Sequence, residues 1–329
     1  MQNSSGQQFK VKHDSPLLKY LFELFPDQSK TGVKQMLSKG RVLVNDRQIT
    51  AFDQPLFVGD TLLILKKGIS IARESAATAT NSLEAAGVKV IYEDERLLVV
   101  DKPSSLLVTA PVGEKVETTL YSLVQQYVRM VTKASRKEDI LSGLEVDRTT
   151  KKAWLVHRME RGASGLIIFA KDERTKDLLQ SKWDTLIEEH SFTAYLEGEV
   201  YPSSGTIETW IVPDEKARKL VSYPTDEIKE SKREVSFYKT IDYIRKSKEG
   251  KVLFTVVTIG TRSRRPDVLR SQAEFIGYPI AGDGKYGAYW DPFERLALHS
   301  STLVFHHPYS GKTVRCFSPL PEVFNKKIR

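Results

Sequence analysis

The amino-acid sequence predicts an α+β protein, a mixed and mainly antiparallel sheet domain preceded by a small α/β module. Three observations carry that class. From Val88 onward, short apolar runs with strand character alternate with stripes of helical spacing. Between Ser15 and Leu65, two helical stripes precede two strand-like runs. The stretch Lys66 to Gly87 separates these regions and is poor in large apolar residues but rich in Ala, Ser and Thr, as a linker is. The expected organisation is a polar tail over 1–14, a first module over 15–66, a linker over 67–87 and a larger domain over 88–329.

In the first module Leu18, Leu21, Leu24 and Phe25 recur at helical spacing, and Val33, Met36 and Leu37 do so before Gly40 stops the second helix. Arg41 to Asn45 reads as a strand, Asp46-Arg47 as a turn, and Thr61 to Leu65 as a strand after the Gly59-Asp60 turn. In the larger domain Val90 to Tyr92 and Leu97 to Val100 bracket the polar Glu93 to Arg96, a strand, turn, strand pattern in which Glu93, Asp94 and Glu95 are expected to be solvated. Leu120, Leu123, Val124, Tyr127, Val128 and Val131 fit one helical face, and Leu178, Leu179, Trp183, Leu186 and Ile187 fit another. Further strands fit Leu166 to Ala170, Thr193 to Glu197, Ser236 to Thr240 and Leu253 to Thr258.

Composition narrows the function classes. A hydrophobic content of 40% over 329 residues is that of a globular chain with a sizeable core. Apolar runs such as Leu166 to Ala170 fall far short of the roughly 18 residues of a membrane helix. Met1 to Asp14 lacks the cationic start and apolar stretch of a signal peptide, so a cytoplasmic protein is expected. The lone Cys316 cannot form an internal disulfide, and no Cys/His cluster has zinc-ligand spacing, so no metal is expected. A net charge of +8, from 50 Lys and Arg against 42 Asp and Glu, favours polyanionic partners where the cations cluster.

They cluster first in the small module. Lys34 to Asn45, K-Q-M-L-S-K-G-R-V-L-V-N, followed by V-G-D at Val58 to Asp60, resembles the S4 domain, an RNA-binding module. Lys30, Lys34, Lys39, Arg41 and Arg47 lie on or beside its second helix and are candidate phosphate contacts that position RNA without reading bases.

Val90 to Pro103, V-I-Y-E-D-E-R-L-L-V-V-D-K-P, resembles the opening of the catalytic domain of RluA-type pseudouridine synthases. Leu155 to Lys171, L-V-H-R-M-E-R-G-A-S-G-L-I-I-F-A-K, is similar to the signature H-R-L-D-R-x-T-S-G-L, whose aspartate is catalytic in that family. Gly277 to Gly287, Arg295 to Ser300 and Phe305 to Pro308 resemble its closing motifs. The resemblance implies a pseudouridine synthase fold behind an S4-like domain, and isomerisation of uridine within structured RNA, ribosomal by analogy, without metal or cofactor. A monomer is the default expectation. By position the catalytic carboxylate is Glu160 and its arginine partner Arg270; an alternative alignment through Gly260-Thr-Arg262 offers Arg262 as that partner.

Two positions and one segment depart from the family pattern. Glu160 has one methylene more than aspartate. Phe192 stands where the family has a tyrosine, so it can stack on a base but cannot transfer a proton. Ser263 to Arg270, S-R-R-P-D-V-L-R, replaces approximately T-G-R-K-N-Q-I-R, with Pro266 and Val268 where donors are expected. Arg158 and Arg161 on the signature loop, with Arg262, Arg264 and Arg265, are candidate RNA contacts, and His157 and Arg158 are expected to brace the loop. His306-His307 is expected to be structural, and Tyr195 to point away from the face of Phe192. Two functions fit these residues: a synthase working through Glu160, and a pseudoenzyme that keeps the scaffold and binds RNA.

Overall fold

The apolar runs of the first module form strands that pair antiparallel. The computed structural model describes residues 6–38, 41–45, 47–49, 51–65, 82–111, 118–141, 151–245, 250–265 and 267–325. The chain groups into two units, residues 1–82 with 126–151 and residues 83–125 with 152–329. The first holds β1 (Gly6–Lys10), β2 (Ser15–Pro16), α1 (Leu17–Leu24), α2 (Lys30–Ser38), β3 (Val42–Val44), β4 (Arg47–Gln48), β5 (Pro55–Leu56) and β6 (Thr61–Leu65). Four of these strands form a sheet in the order β1-β6-β3-β4. Leu17, Leu21, Val33 and Leu37 of the two helices share one core with Val42, Leu62 and Ile64 of the sheet.

The expected tail boundary is corrected by β1. Its Phe9 lies opposite Leu62 in register and packs on that core, so ordered structure begins within the stretch read as polar. Phe9 and Val11 are two apolar residues among polar ones, too short an alternation to announce a strand. Within the expected turn, Arg47 instead starts β4, while Asp46 lies outside the described residues, as do 66–81 of the linker. Residues 82–85 form a helical turn, and α3 (Leu120–Leu141) spans the boundary between the units.

The second unit contains β7 (Lys89–Glu93), β8 (Leu97–Lys102), β9 (Trp154–Leu155), β10 (Ser164–Ala170), α4 (Glu173–Ser181), α5 (Trp183–Leu186), β11 (Ile187–Glu197), β12 (Ser204–Asp214), β13 (Lys219–Tyr223), β14 (Lys232–Arg245), β15 (Val252–Thr261), α6 (Asp267–Phe275), β16 (Leu298–His306) and β17 (Thr313–Phe317). Their sheet runs β13-β12-β14-β15-β11-β16-β10-β8-β7, with β17 added to β16 and β9 to β10. Every pairing in it is antiparallel except β10 with β16.

Every residue of β10 is buried, which is why the strand reads as an unbroken apolar run instead of an alternation. Gly165 makes the parallel contact possible: at φ +105°, a Cβ there would lie 2.2 Å from the Ser300 carbonyl oxygen.

The helical stripe Leu178 to Ile187 is interrupted in the structure. Asp172 caps α4 by accepting from the Thr175 N–H at 2.8 Å, Lys182 leaves helical geometry at φ −111°, and Ile187 already begins β11. Leu179, Trp183 and Ile187 nevertheless share one core, so apolar spacing continued across a break in the backbone. The rewritten segment ends in a helix, α6, which starts at Asp267. A proline immediately before a first helical turn removes no needed donor, although Pro266 itself lies outside the described residues. Val268 packs with Ile211 of β12 and Leu220 of β13, an apolar role that an amide there would not fill.

Candidate active site

Glu160 lies on the loop between β9 and β10, and Arg270 lies mid-way along the buried face of α6, beside Leu269, Ser271 and Gln272. Arg270 is 8% exposed. Its Nη1 sits 3.2 Å from Glu160 Oε2, while its Nε and Nη2 each donate to Asp283 at 2.6 Å. The guanidinium carbon stands 4.6 Å from the centroid of the Tyr286 ring, whose hydroxyl accepts from the Leu220 N–H at 3.0 Å. Burial acts to lower the Arg270 pKa, but the Asp283 hydrogen bonds and the charges of Asp283 and Glu160 outweigh it and hold it above its ordinary value. Burial pushes the Tyr286 hydroxyl up to about 12. Arg270, not Arg262, is the arginine that meets Glu160.

Asp283 is fixed by its turn. Its carbonyl accepts from the Tyr286 N–H at 2.9 Å, and its own N–H donates to Ile280 at 3.0 Å. Gly282 before it has φ +77°, and a Cβ there would lie 2.1 Å from the Arg295 carbonyl oxygen. Asp283 falls in the glycine-rich closing motif, but sequence spacing did not show that its side chain reaches Arg270.

Lys102, in the D-K-P motif, likewise shows no sign in sequence of the role it takes. It is fully buried, and its Nζ donates to the carbonyls of Pro103 at 2.8 Å, Leu106 at 3.0 Å and Arg161 at 3.3 Å. Burial, helped by Arg295 and opposed by Asp101 and Glu160, pushes its pKa down to about 7. Ser104 Oγ donates to the Gly162 carbonyl at 3.1 Å, and Arg161 Nε to that of Ser105 at 2.9 Å. The loop after β8 is thereby laced to the loop that carries Glu160.

His157 braces that loop by accepting the Ile168 N–H at Nε2, 3.1 Å away, and burial holds it neutral, with its pKa pushed down to about 4. Its ring packs 5.2 Å from His190, also buried and held well below its ordinary value, and both pack on Trp183. Phe192 belongs to this cluster. It is 1% exposed, with its ring 4.6 Å from that of His190. The expected base-stacking position is corrected accordingly: Phe192 is a core ring and is not part of the cleft wall. Tyr195 faces away, as its spacing indicates, against Phe293 and Phe324.

Glu160 opens on a cleft of about 660 Å³ walled by Leu107 and Leu155 and lined by Arg158, Arg161, Arg264 and Arg265. The Arg158 N–H donates to the Arg264 carbonyl at 3.2 Å, which joins the signature loop to the segment before α6. Arg265 is paired with Asp267 at 2.8 Å. Arg262 does not line the cleft; its Nη1 donates to the carbonyls of Asp184 at 2.6 Å and Ile187 at 2.9 Å, bracing the turn into β11. In the first unit Lys30 and Lys34 are exposed on α2, whereas Arg41 turns its guanidinium onto the Leu65 carbonyl at 2.9 and 2.7 Å. Lys39 lies outside the described residues, and Arg47 is placed by its backbone alone, in β4. The expected solvated turn is tied down: Asp94 accepts from the N–H groups of Arg96 and Leu97 and meets His307 Nε2 at 3.1 Å.

Among the described residues no group of three or more His, Cys, Asp or Glu is arranged to hold a metal ion, and no helix is long and apolar enough to cross a membrane. A buried arginine shared by two carboxylates, one of them open to a cleft lined by arginines, is an arrangement that can present a positioned carboxylate to a polyanionic ligand.

The chain belongs to the RNA pseudouridylate synthase family, whose profile matches residues 96–273. It is 27% identical to the uncharacterized RNA pseudouridine synthase YlyB of Bacillus subtilis (strain 168) over 92% of this chain and 90% of that protein. It is 25% identical to ribosomal large subunit pseudouridine synthase D of Pseudomonas aeruginosa, over 92% of this chain and 87% of that one. Among solved structures, human RNA pseudouridylate synthase domain containing 1 shares the fold, with a TM-score of 0.52 at 17% identity over 72% of this chain and 86% of that one.

Proposed function

We propose that this chain isomerises uridine to pseudouridine within structured RNA, with Glu160 as the reacting carboxylate. The observation that carries the reading is the 3.2 Å contact of Arg270 with Glu160 beside a cation-lined cleft, in a chain of this family. The target base must leave its stack. The nitrogen–carbon glycosidic bond then breaks, a carbon–carbon bond forms at another ring position, and a proton passes from that ring carbon to the ring nitrogen. Substrate and product hold the same atoms, so no co-reactant is consumed. Glu160 attacks the sugar fragment or stabilises its developing positive charge. Arg270 holds Glu160 through the 3.2 Å contact, and Asp283 keeps Arg270 in place.

Ribosomal RNA is the proposed substrate class, supported by the name of the Pseudomonas aeruginosa relative. The first unit acts in this reading as an S4-like RNA-binding module, with the exposed Lys30 and Lys34 on phosphates. The site of action is the cytoplasm.

A second reading, RNA binding without isomerisation, is favoured by Phe192, which lacks the hydroxyl and is off the cleft wall. One experiment separates the two. Ribosomal and transfer RNA from the host lacking this gene is incubated with the protein, and pseudouridine is mapped at single-nucleotide resolution. A new site that vanishes with Glu160→Gln is expected. No new site rejects the synthase reading, and persistence in Glu160→Gln rejects the choice of carboxylate.

A further inference from the structure

Two large aromatic side chains stand side by side on the surface just beyond the Asp283 turn. Tyr289 is 83% exposed and Trp290 53%, with ring centroids 5.2 Å apart at 78°. Neither serves the core, and the backbone beneath them is held firmly. The Trp290 N–H donates to Glu197 Oε1 at 2.5 Å, and the Trp290 carbonyl accepts from the Gly282 N–H at 2.7 Å. The Ala288 N–H donates to the carbonyl of Asp283 at 3.1 Å. Gly282 and Asp283 are the turn that fixes Arg270, so the aromatic pair and the reactive carboxylate are mounted on one hydrogen-bonded frame.

From this geometry we propose that Tyr289 and Trp290 form a stacking platform for an unpaired nucleobase of the RNA, distinct from the site of the reacting uridine, whose cleft neither ring lines. The inference rests on RNA being the ligand, as in the proposed function. A rigid surface of this kind suits a base because every base offers a π-face and the rings lose little conformational freedom on contact. A protein partner fits less well. Two rings supply at most about 150–250 Å² each, against the roughly 800 Å² per partner of a stable interface, and of their neighbours in sequence only the small Ala288 and Pro292, each half-exposed, would add apolar surface, while Lys285, Asp291 and Glu294 are charged. The side chain of Asp291 is already engaged by the Arg295 N–H at 2.9 Å.

The test uses the full chain and a transcript of the host large-subunit ribosomal RNA as probe. Tyr289→Ala/Trp290→Ala is expected to weaken binding by about tenfold or more. The dependence of affinity on salt is expected to stay the same, because the rings carry no charge. Trp290→Phe retains a stacking face and should bind within a few-fold of the wild type. RNA should also quench tryptophan emission in the wild type and quench it less in Trp290→Phe. Both residues are exposed, so thermal unfolding followed by circular dichroism should be unchanged. If the wild type binds the transcript and the double variant binds it equally well, the platform is overturned while the RNA-binding reading stands. If the wild type binds no RNA even at low salt, both are overturned. A double variant that loses self-association instead of RNA affinity would mark the rings as a protein contact and overturn the platform as well.

Discussion

Arg270 is held more tightly by Asp283 than by Glu160. Two 2.6 Å hydrogen bonds in a planar fork join it to Asp283, against a single 3.2 Å contact with Glu160. Asp283 is almost wholly buried and Glu160 is open to the cleft, so the two carboxylates divide the work. Asp283→Asn removes the inner charge from a buried pair and should cost about 3–5 kcal/mol in urea unfolding. Glu160→Gln should cost less than about 1 kcal/mol, since its side chain is half-exposed and meets Arg270 through a single 3.2 Å contact. Equal losses would contradict this division.

Stability should fall as pH drops below about 6.5. Burial pushes His157 down to about 4 and His190 well below its ordinary value, whereas both take up protons near 6.5 once unfolded. Between those limits the unfolded chain binds more protons than the folded one, so acid favours unfolding there, by on the order of 3 kcal/mol for His157 alone at pH 4. His190→Phe keeps an aromatic ring and removes one of the two sites. Urea midpoints at about pH 7.5 and about pH 4.5 should lie closer together in that variant than in the wild type; the same separation in both would refute the assignment.

Lys102→Met should loosen the loop after β8. It leaves the carbonyls of Pro103 and Leu106 without their donor and takes one of two donors from that of Arg161, at about 2 kcal/mol or more in total. Hydrogen exchange at the Ser105 amide, which donates to Arg161 at 2.9 Å, reads the effect directly. Protection equal to the wild type would show that the amine does not hold the two loops together.

Gly165→Ala should prevent the β10–β16 contact, because its Cβ would meet backbone and its φ of +105° already disfavours any side chain. A loss of more than about 3 kcal/mol, or failure to fold, is expected. Gly284→Ala, with nothing within 4 Å of the added Cβ, serves as the comparison and should stay within about 0.5 kcal/mol of the wild type.

The Glu160 to Arg270 relationship was legible because two motifs placed both residues. Asp283 was not, since a buried carboxylate gives no sign in sequence of the partner it will find. The arginines show a related blind spot. Arg41 and Arg262 look like surface cations in a sequence, yet each donates to main-chain carbonyls of its own unit. Phe192 kept the place of an aromatic family residue but not its expected access to the cleft. Strand β10 could be read from its apolar run, whereas β12 buries only Ile207, Thr209 and Ile211 of its eleven residues and carries Gly205 and Pro213 near its ends, so its pattern is too broken to read.

The neighbour that closes β10 on its far side, β16, is among the last strands in the chain. Ser164 and His299, which bond at 2.9 Å across that seam, are 135 positions apart. A chain emerging from the ribosome therefore exposes the apolar run of β10, Leu166 to Ala170, with one edge unpaired until β16 follows, and closing so distant a contact is entropically slow. The loop that carries Glu160 acquires its final support late in synthesis, and a chain released before Leu298 would present a sticky strand edge in place of a cleft.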